Sequence, residues 1–244
     1  MEPKKIKDEK GKKKEGGEYG IIIGSGLASA ICGVDKDLTA MMVWNRILRR
    51  FDPTIPNLEP PPSEFSQLAT EHGIRCEPLA AEYFKKLMPQ FELKPGGYWL
   101  HEEFPELYVD CPDRLLYDKE GNLVGLLEIK CPYGKLYTDI PPKYLCQCQY
   151  HLDVVKKAAK QVIKQALKCY FLAVKYDEKD PEKTKNPQYM LIEMERSKDY
   201  KKWMWPKLRL FSNCLMDKDR EKKEPDYKLL RGAPPFVPLS RPMV

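Results

Sequence analysis

The sequence predicts an α/β or α+β fold with a mixed central β-sheet flanked by helices. Three observations lead there. The patterned segments run in the order helices, strand pair, one long helix, two more strands, helix. The strand pair reads as a hairpin, because two apolar runs are joined by a strong turn signal. Of the 244 residues, 42% are hydrophobic, which is enough for a sizeable core. The 22 prolines scattered along the chain exclude a coiled coil, and no apolar run is long enough to cross a membrane.

Residues 1–18 are rich in lysine and acidic residues without apolar periodicity, and read as a flexible basic tail. They contain no apolar segment of the secretory kind, so an intracellular setting is expected: cytoplasm, nucleus or a viral replication site. A single large domain is expected over 19–217. Its first segment, GIIIGSGLASAICGV (20–34), is a short apolar run that meets Gly24-Ser25-Gly26 and then a small-residue helix. Asp37 or Thr39 caps the next helix, in which Met42, Trp44, Ile47 and Leu48 share one face. A proline-rich connection over 53–62 leads to Ser63, which caps a helix reaching Leu87 with an interruption near Gly73 or Pro78. Residues 98–109 read as β or loop.

Residues 107–117 read as a strand, 118–122 as a turn, and LVGLLEIKC (123–131) as a second strand. Pro141-Pro142 starts a helix over 143–167, on which Tyr144, Cys148, His151 and Val155 share a face. Strands follow over 169–177 and 189–196, then an amphipathic helix over 197–217. The proline-rich stretch 218–244 reads as an extension on the surface. Residues 196–244 are basic and the body over 19–195 is slightly acidic; the net charge of +6 is too weak for a polybasic protein. Eight cysteines without a C-x-x-C, beside three histidines, argue against a zinc site, an iron–sulfur cluster or a disulfide scaffold.

The chemistry concentrates in the middle of the chain. On the strand LLEIK, Glu128 and Lys130 are two residues apart and project from one face, while Leu127 and Ile129 enter the core. An acid and a lysine in an apolar strand are costly unless satisfied. By itself the pair reads as a structural ion pair. Pro112-Asp113 changes that balance, because the turn brings it beside Glu128. Asp113 and Glu128, with the Ile129 backbone carbonyl, offer oxygen ligands to a hard divalent cation. Lys130 would orient or help deprotonate an attacking water and offset charge at a phosphate.

The pattern P-D…E-x-K resembles that of the PD-(D/E)xK nuclease superfamily, and more narrowly the YqaJ-type viral recombinase and phage lambda exonuclease family. Four blocks match in order over roughly 19–200: the Gly24-Ser25-Gly26 segment with its Trp44 helix, Gly73-Ile74-Arg75-Cys76-Glu77, CPDRLL with LLEIKCP, and YLCQCQYHLDV. The resemblance implies a restriction-endonuclease-like core and a Mg2+-dependent exonuclease. That enzyme would degrade one strand of double-stranded DNA, 5′ to 3′, and leave 3′ single strands for recombination. It also implies roles. Asp113, Glu128 and Glu77 would hold metal, and Lys130 would be the catalytic lysine. Gln149, with Gln147 as the less certain neighbour, would bond near the metal or the substrate backbone. Ser25 would contact phosphate near the cleaved end; a helix N-cap is its competing role.

The chain departs from the family pattern twice. Arg114 follows Pro-Asp where a small residue is usual, adding a phosphate contact or pointing outward. No arginine precedes the first block, leaving Lys14 or Arg75 as substitutes at a 5′ end. Relatives also form trimeric rings beside a single-strand annealing protein. Two rival readings are a structure-specific or repair endonuclease on the same core and a non-enzymatic nucleic-acid-binding module. The lysines 157, 160, 164 and 168 read equally as a duplex-binding face or a solvated one. Trp203 and Trp205 read as core packing ahead of base stacking, and His151 as a packing or supporting residue beside the site.

Overall fold

The computed structural model describes residues 23–159, 166–217 and 223–242. The basic tail, the beginning of the first apolar run, Lys14, Lys160 and Lys164 lie outside the described residues. The helices are α1 (Ser25–Ile31), α2 (Ala40–Leu48), α3 (Glu64–Leu87), α4 (Pro142–Ala158), α5 (Lys198–Met216) and α6 (Tyr227–Leu230). The strands are β1 (Glu92–Pro95), β2 (Trp99–Leu100), β3 (Val109–Asp110), β4 (Arg114–Tyr117), β5 (Leu123–Lys130), β6 (Lys168–Lys175), β7 (Gln188–Glu195) and β8 (Leu239–Ser240).

Six strands form the central sheet in the order β1-β4-β5-β6-β7-β8, and β2 pairs with β3 in a small second sheet. Among the described residues β5 and β6 are the parallel pair of the large sheet, and its other neighbours are antiparallel. The reason is in the connections. The turn after Asp118 closes with Gly121 at φ +77°, which glycine adopts without strain, and reverses the chain between β4 and β5. The route from β5 to β6 runs through α4, and such a crossover returns the chain in the same direction. The sheet is therefore mixed, as expected.

Each face of the sheet has its own core. Leu123, Leu126, Cys169 and Phe171 face α1, α2, α4 and α5, together with Trp44, Tyr150 and Phe211. Leu127, Ile129, Tyr170 and Leu172 face α3, meeting Cys76, Ala80 and Phe84. The period of two along β5 thus sends Glu128 toward α4 and Ile129 toward α3.

Several boundaries differ from expectation. The stretch 107–117 is two strands, because Pro112 has no N–H to continue a ladder. β1 was absent from the sequence reading; it is a short, largely exposed edge strand ending in Pro95, with no apolar alternation to reveal it. Helix α3 runs through Gly73 and Pro78 unbroken. Pro78 lies on its exposed side, and exposed Ile74 one turn earlier leaves the carbonyl freed by the proline within reach of water. Thr39, not Asp37, caps α2, accepting from the Met42 N–H at 3.3 Å, and Val43 replaces Met42 in the buried stripe. The C-terminal stretch adds β8 to the sheet edge. Buried Lys207 donates to the carbonyls of Leu230 and Arg231 at 2.7 and 2.8 Å, which fixes α6. Among the described residues no helix is long and apolar enough to cross a membrane.

Candidate active site

Asp113, Glu128 and Lys130 come together where β4 begins and β5 ends. The β4–β5 ladder starts at Arg114 opposite Leu127. Beyond it, Asp113 takes over the role of a strand neighbour: its Oδ2 accepts the Ile129 N–H at 2.6 Å. The N–H and C=O of one extended residue point to the same strand edge, so the Ile129 carbonyl faces the Asp113 side. Lys130 donates to Glu128 Oε1. Glu128 Oε2 accepts from His151 Nε2 at 3.0 Å, and His151 Nδ1 lies 2.7 and 2.8 Å from the two oxygens of Asp110. Glu128, His151 and Asp110 are 4%, 1% and 1% exposed.

The charges follow from this packing. Burial, then the Glu128 charge, pushes the Asp113 carboxyl up to about 7. Burial alone would also raise Glu128, but the Lys130 charge and the His151 hydrogen bond bring it down to about 2. Burial alone would lower Lys130, yet Glu128 and Asp113 hold its ammonium well above the ordinary value. In the same way burial works against His151, while the Asp110 charge and the bonds to both carboxylates raise it well above its usual range. Ionised carboxylates only accept, so a ring bonded to one at each nitrogen donates from both.

This donor set suits a hard cation. Two carboxylates, one buried and one half-buried, lie close enough that the Glu128 charge adds to burial in raising Asp113. Among the described residues no three His, Cys, Asp or Glu side chains are grouped to hold a metal ion. The oxygens that could serve such an ion are those of Asp113, Glu128 and the Ile129 carbonyl. Glu77 is held in an ion pair: Arg114 Nη1 donates to its Oε1 at 2.9 Å and to the Asp113 backbone carbonyl at 2.6 Å. Arg114 is thus anchored through Nη1 in an ion pair with Glu77 at the border of the site.

The remaining expected residues separate. Gln149 faces away from the carboxylates. Its amide donates to the Glu195 carbonyl at 2.9 Å and accepts the Ser197 N–H at 2.8 Å, joining α4 to the β7–α5 corner. Gln147, two residues earlier and so on another side of the helix, reaches the first glycine segment. Its Nε2 lies 3.5 Å from where a Cβ on Gly26 would stand, and its Oε1 is buried without a partner. Ser25 is the first residue of α1 and Gly24 its N-cap, so the capping role falls away. Ser25 lines a cleft with Gly24, Gly26, Asp35, Arg46 and Cys111. Arg75 is exposed and donates to the Glu178 and Lys179 carbonyls at 2.8 and 3.4 Å, away from that cleft. Lys157 pairs with Glu103 and Lys168 with Glu193. Trp205 is buried, and Trp203 packs on Tyr200 and Lys207.

Sequence reasoning missed Asp110 and the bond from His151 to Glu128. The only available signal was position: Asp110 precedes Asp113 by three residues, and His151 shares the inward face of α4 with Cys148 and Val155.

A family model, the YqaJ-like viral recombinase domain, matches residues 12–158, which include the whole carboxylate–lysine cluster, Asp110 and His151. No curated protein matches the chain significantly.

Proposed function

The chain belongs to the YqaJ-like viral recombinase family, a recombination-related nuclease family with a restriction-endonuclease-like core, and from that premise we propose that it is a Mg2+-dependent deoxyribonuclease. More specifically, it is a 5′→3′ exonuclease on double-stranded DNA that leaves 3′ single strands. The observation that carries this reading is the convergence of half-buried Asp113 and Lys130 with buried Glu128 about the Ile129 peptide.

Asp113, Glu128 and the Ile129 carbonyl would hold the ion, with Mn2+ as a substitute. When bound, the ion supplies a more acidic water and a counter-charge for the phosphate being cleaved. Glu128 and Asp113 raise the Lys130 ammonium above its ordinary value; there it would orient the nucleophile or a phosphate oxygen. Ser25 lines the cleft at the start of α1, and Gln147 Nε2 lies close to Gly26 in the same segment; both would offer polar groups to the sugar–phosphate backbone. An intracellular setting, a homo-oligomeric ring about the duplex and an annealing protein beside it complete the reading.

The test is digestion of a linear duplex labelled separately at each 5′ and 3′ end, with and without a 5′ phosphate, beside a covalently closed circle. Loss of label from 5′ ends, survival of the circle and complete inhibition by EDTA are expected. Asp113→Ala, Glu128→Ala and Lys130→Ala should each abolish turnover while the fold persists. Full activity in any of the three, or in excess EDTA, removes the site. Cutting of the circle assigns an endonuclease instead.

A further inference from the structure

The three-membered chain Asp110–His151–Glu128 is the most deeply buried polar cluster next to the site, and nothing in the nuclease reading so far uses Asp110 or His151. Its geometry is specific. Glu128 divides its two oxygens: Oε1 meets Lys130 and Oε2 meets His151. The other ring nitrogen faces both oxygens of Asp110, so the ring can neither flip nor tilt without losing a bond to a buried carboxylate. Three buried ionisable groups would be a poor way to fill a core, where an apolar trio of similar volume costs nothing in desolvation. The brace also crosses three elements. Asp110 ends β3 and is three residues from Asp113, His151 sits on α4, and Glu128 lies on β5. One imidazole therefore registers the segment bearing Asp113 against the strand bearing Glu128.

We propose that His151, braced by Asp110, is a positioning residue that fixes which oxygen of Glu128 is presented to Lys130 and the divalent ion. The inference rests on the nuclease reading of the Asp113–Glu128–Lys130 site. It assigns His151 no contact with substrate and no proton transfer. Residues that orient a metal-binding side chain in this way typically alter metal affinity or activity by roughly 10- to 100-fold when changed.

The experiment compares full-length wild type, His151→Gln and Asp110→Asn, the last being nearly isosteric. Mn2+ affinity is measured without DNA by the paramagnetic resonance of the free ion. Thermal melting is measured without metal, and kcat and KM are measured on a linear duplex at saturating Mg2+. Both variants are expected to bind Mn2+ roughly 10- to 100-fold more weakly and to lose kcat, with KM for the duplex unchanged. A purely structural role would lower the melting temperature and leave the Mn2+ affinity of the folded protein as in wild type. That result in Asp110→Asn overturns the inference, even if His151→Gln fails to fold. A wild type that neither binds Mn2+ nor cuts DNA overturns the nuclease reading, and this inference with it. An active wild type with unaffected variants removes the role of His151 alone.

Discussion

Gly96, just past β1, lies directly against Pro112: a Cβ added to Gly96 would stand 1.5 Å from the Pro112 carbonyl oxygen and 2.6 Å from its carbon. The Gly96 N–H also donates to the Asp113 carbonyl at 3.3 Å. What the added carbon meets is backbone, so no side chain can swing aside to admit it. The backbone of the Pro112-Asp113 step is held from this side by a residue whose value is the absence of a side chain.

Gly96→Ala must therefore part β1 from the Pro112-Asp113 segment. Overpacking of this kind costs about 3 kcal/mol, a fall in melting temperature of roughly 6–12 °C for a chain of this size. Because Asp113 moves with Pro112, DNA turnover should fall further than the folded fraction accounts for. Thermal melting and turnover on a linear duplex check both. Melting within about a degree of wild type would show that the two backbones do not approach so closely.

Arg114 places a fixed positive charge between Glu77 and the Asp113 backbone. Arg114→Ala removes that charge and releases the Glu77 carboxylate, whose charge already reaches Asp113. Calorimetric titration should show Mn2+ binding tightened by roughly three- to ten-fold. The pair is only partly buried, with side chains 24% and 37% exposed, so melting should fall by less than about 1 kcal/mol equivalent. Unchanged Mn2+ affinity would place Arg114 outside the electrostatic reach of the site.

His101 gives a dependence on pH. It is 1% exposed and packed among Phe104, Tyr108 and Trp205. Its Nδ1 accepts the Glu103 N–H at 3.2 Å, and the Lys157 ammonium lies 3.5 Å from Nε2. Burial first, then Lys157, lowers its pKa from 6.5 to about 4. Between those values the unfolded chain binds more protons than the folded one, so stability rises with pH. The stabilisation is fully present above about pH 6.5 and is lost as pH falls toward 4, about 3 kcal/mol over the whole window. Subtracting the denaturant-unfolding free energies of His101→Gln from those of wild type, pH by pH, should isolate that slope. A flat difference between pH 4 and 7 would mean that His101 titrates normally.

The legible part of the site was its local part. Glu128 and Lys130 share a face because a strand alternates every two residues, and the turn of Asp118 to Asn122 returns the chain so that Asp113 lands beside Ile129. Both relations are short in sequence and fixed by one hairpin. The Asp110–His151 bond spans 41 positions and depends on how α4 crosses the sheet, which no local period encodes. Gly96 and β1 were hidden for a related reason: an exposed edge strand has no apolar alternation, and a close backbone approach leaves no mark except a glycine. Gln147 and Gln149 show the limit of a motif. The motif placed both on α4, but only packing decides which side of the helix meets the cleft.

Gln149 accordingly carries a prediction opposite to the role its motif suggested. With Asp153 one turn later it forms a fastening between α4 and the β7–α5 corner. Gln149 bonds the backbone of Glu195 and Ser197, while Asp153 accepts from Arg196 and the Trp205 indole. Gln149 is 2% exposed and Asp153 1%, so removing either leaves the groups it bonds, the buried Trp205 indole among them, without a partner. Gln149→Ala should cost about 2 kcal/mol through the unsatisfied carbonyl and N–H. Asp153→Ala should cost about 3–5 kcal/mol, because a partly buried guanidinium loses its counter-charge. Neither residue touches the carboxylate cluster, so duplex affinity per folded molecule should stay within about twofold of wild type, whereas thermal melting falls in both. Loss of duplex affinity in Gln149→Ala without any loss of stability would instead return that glutamine to the substrate side.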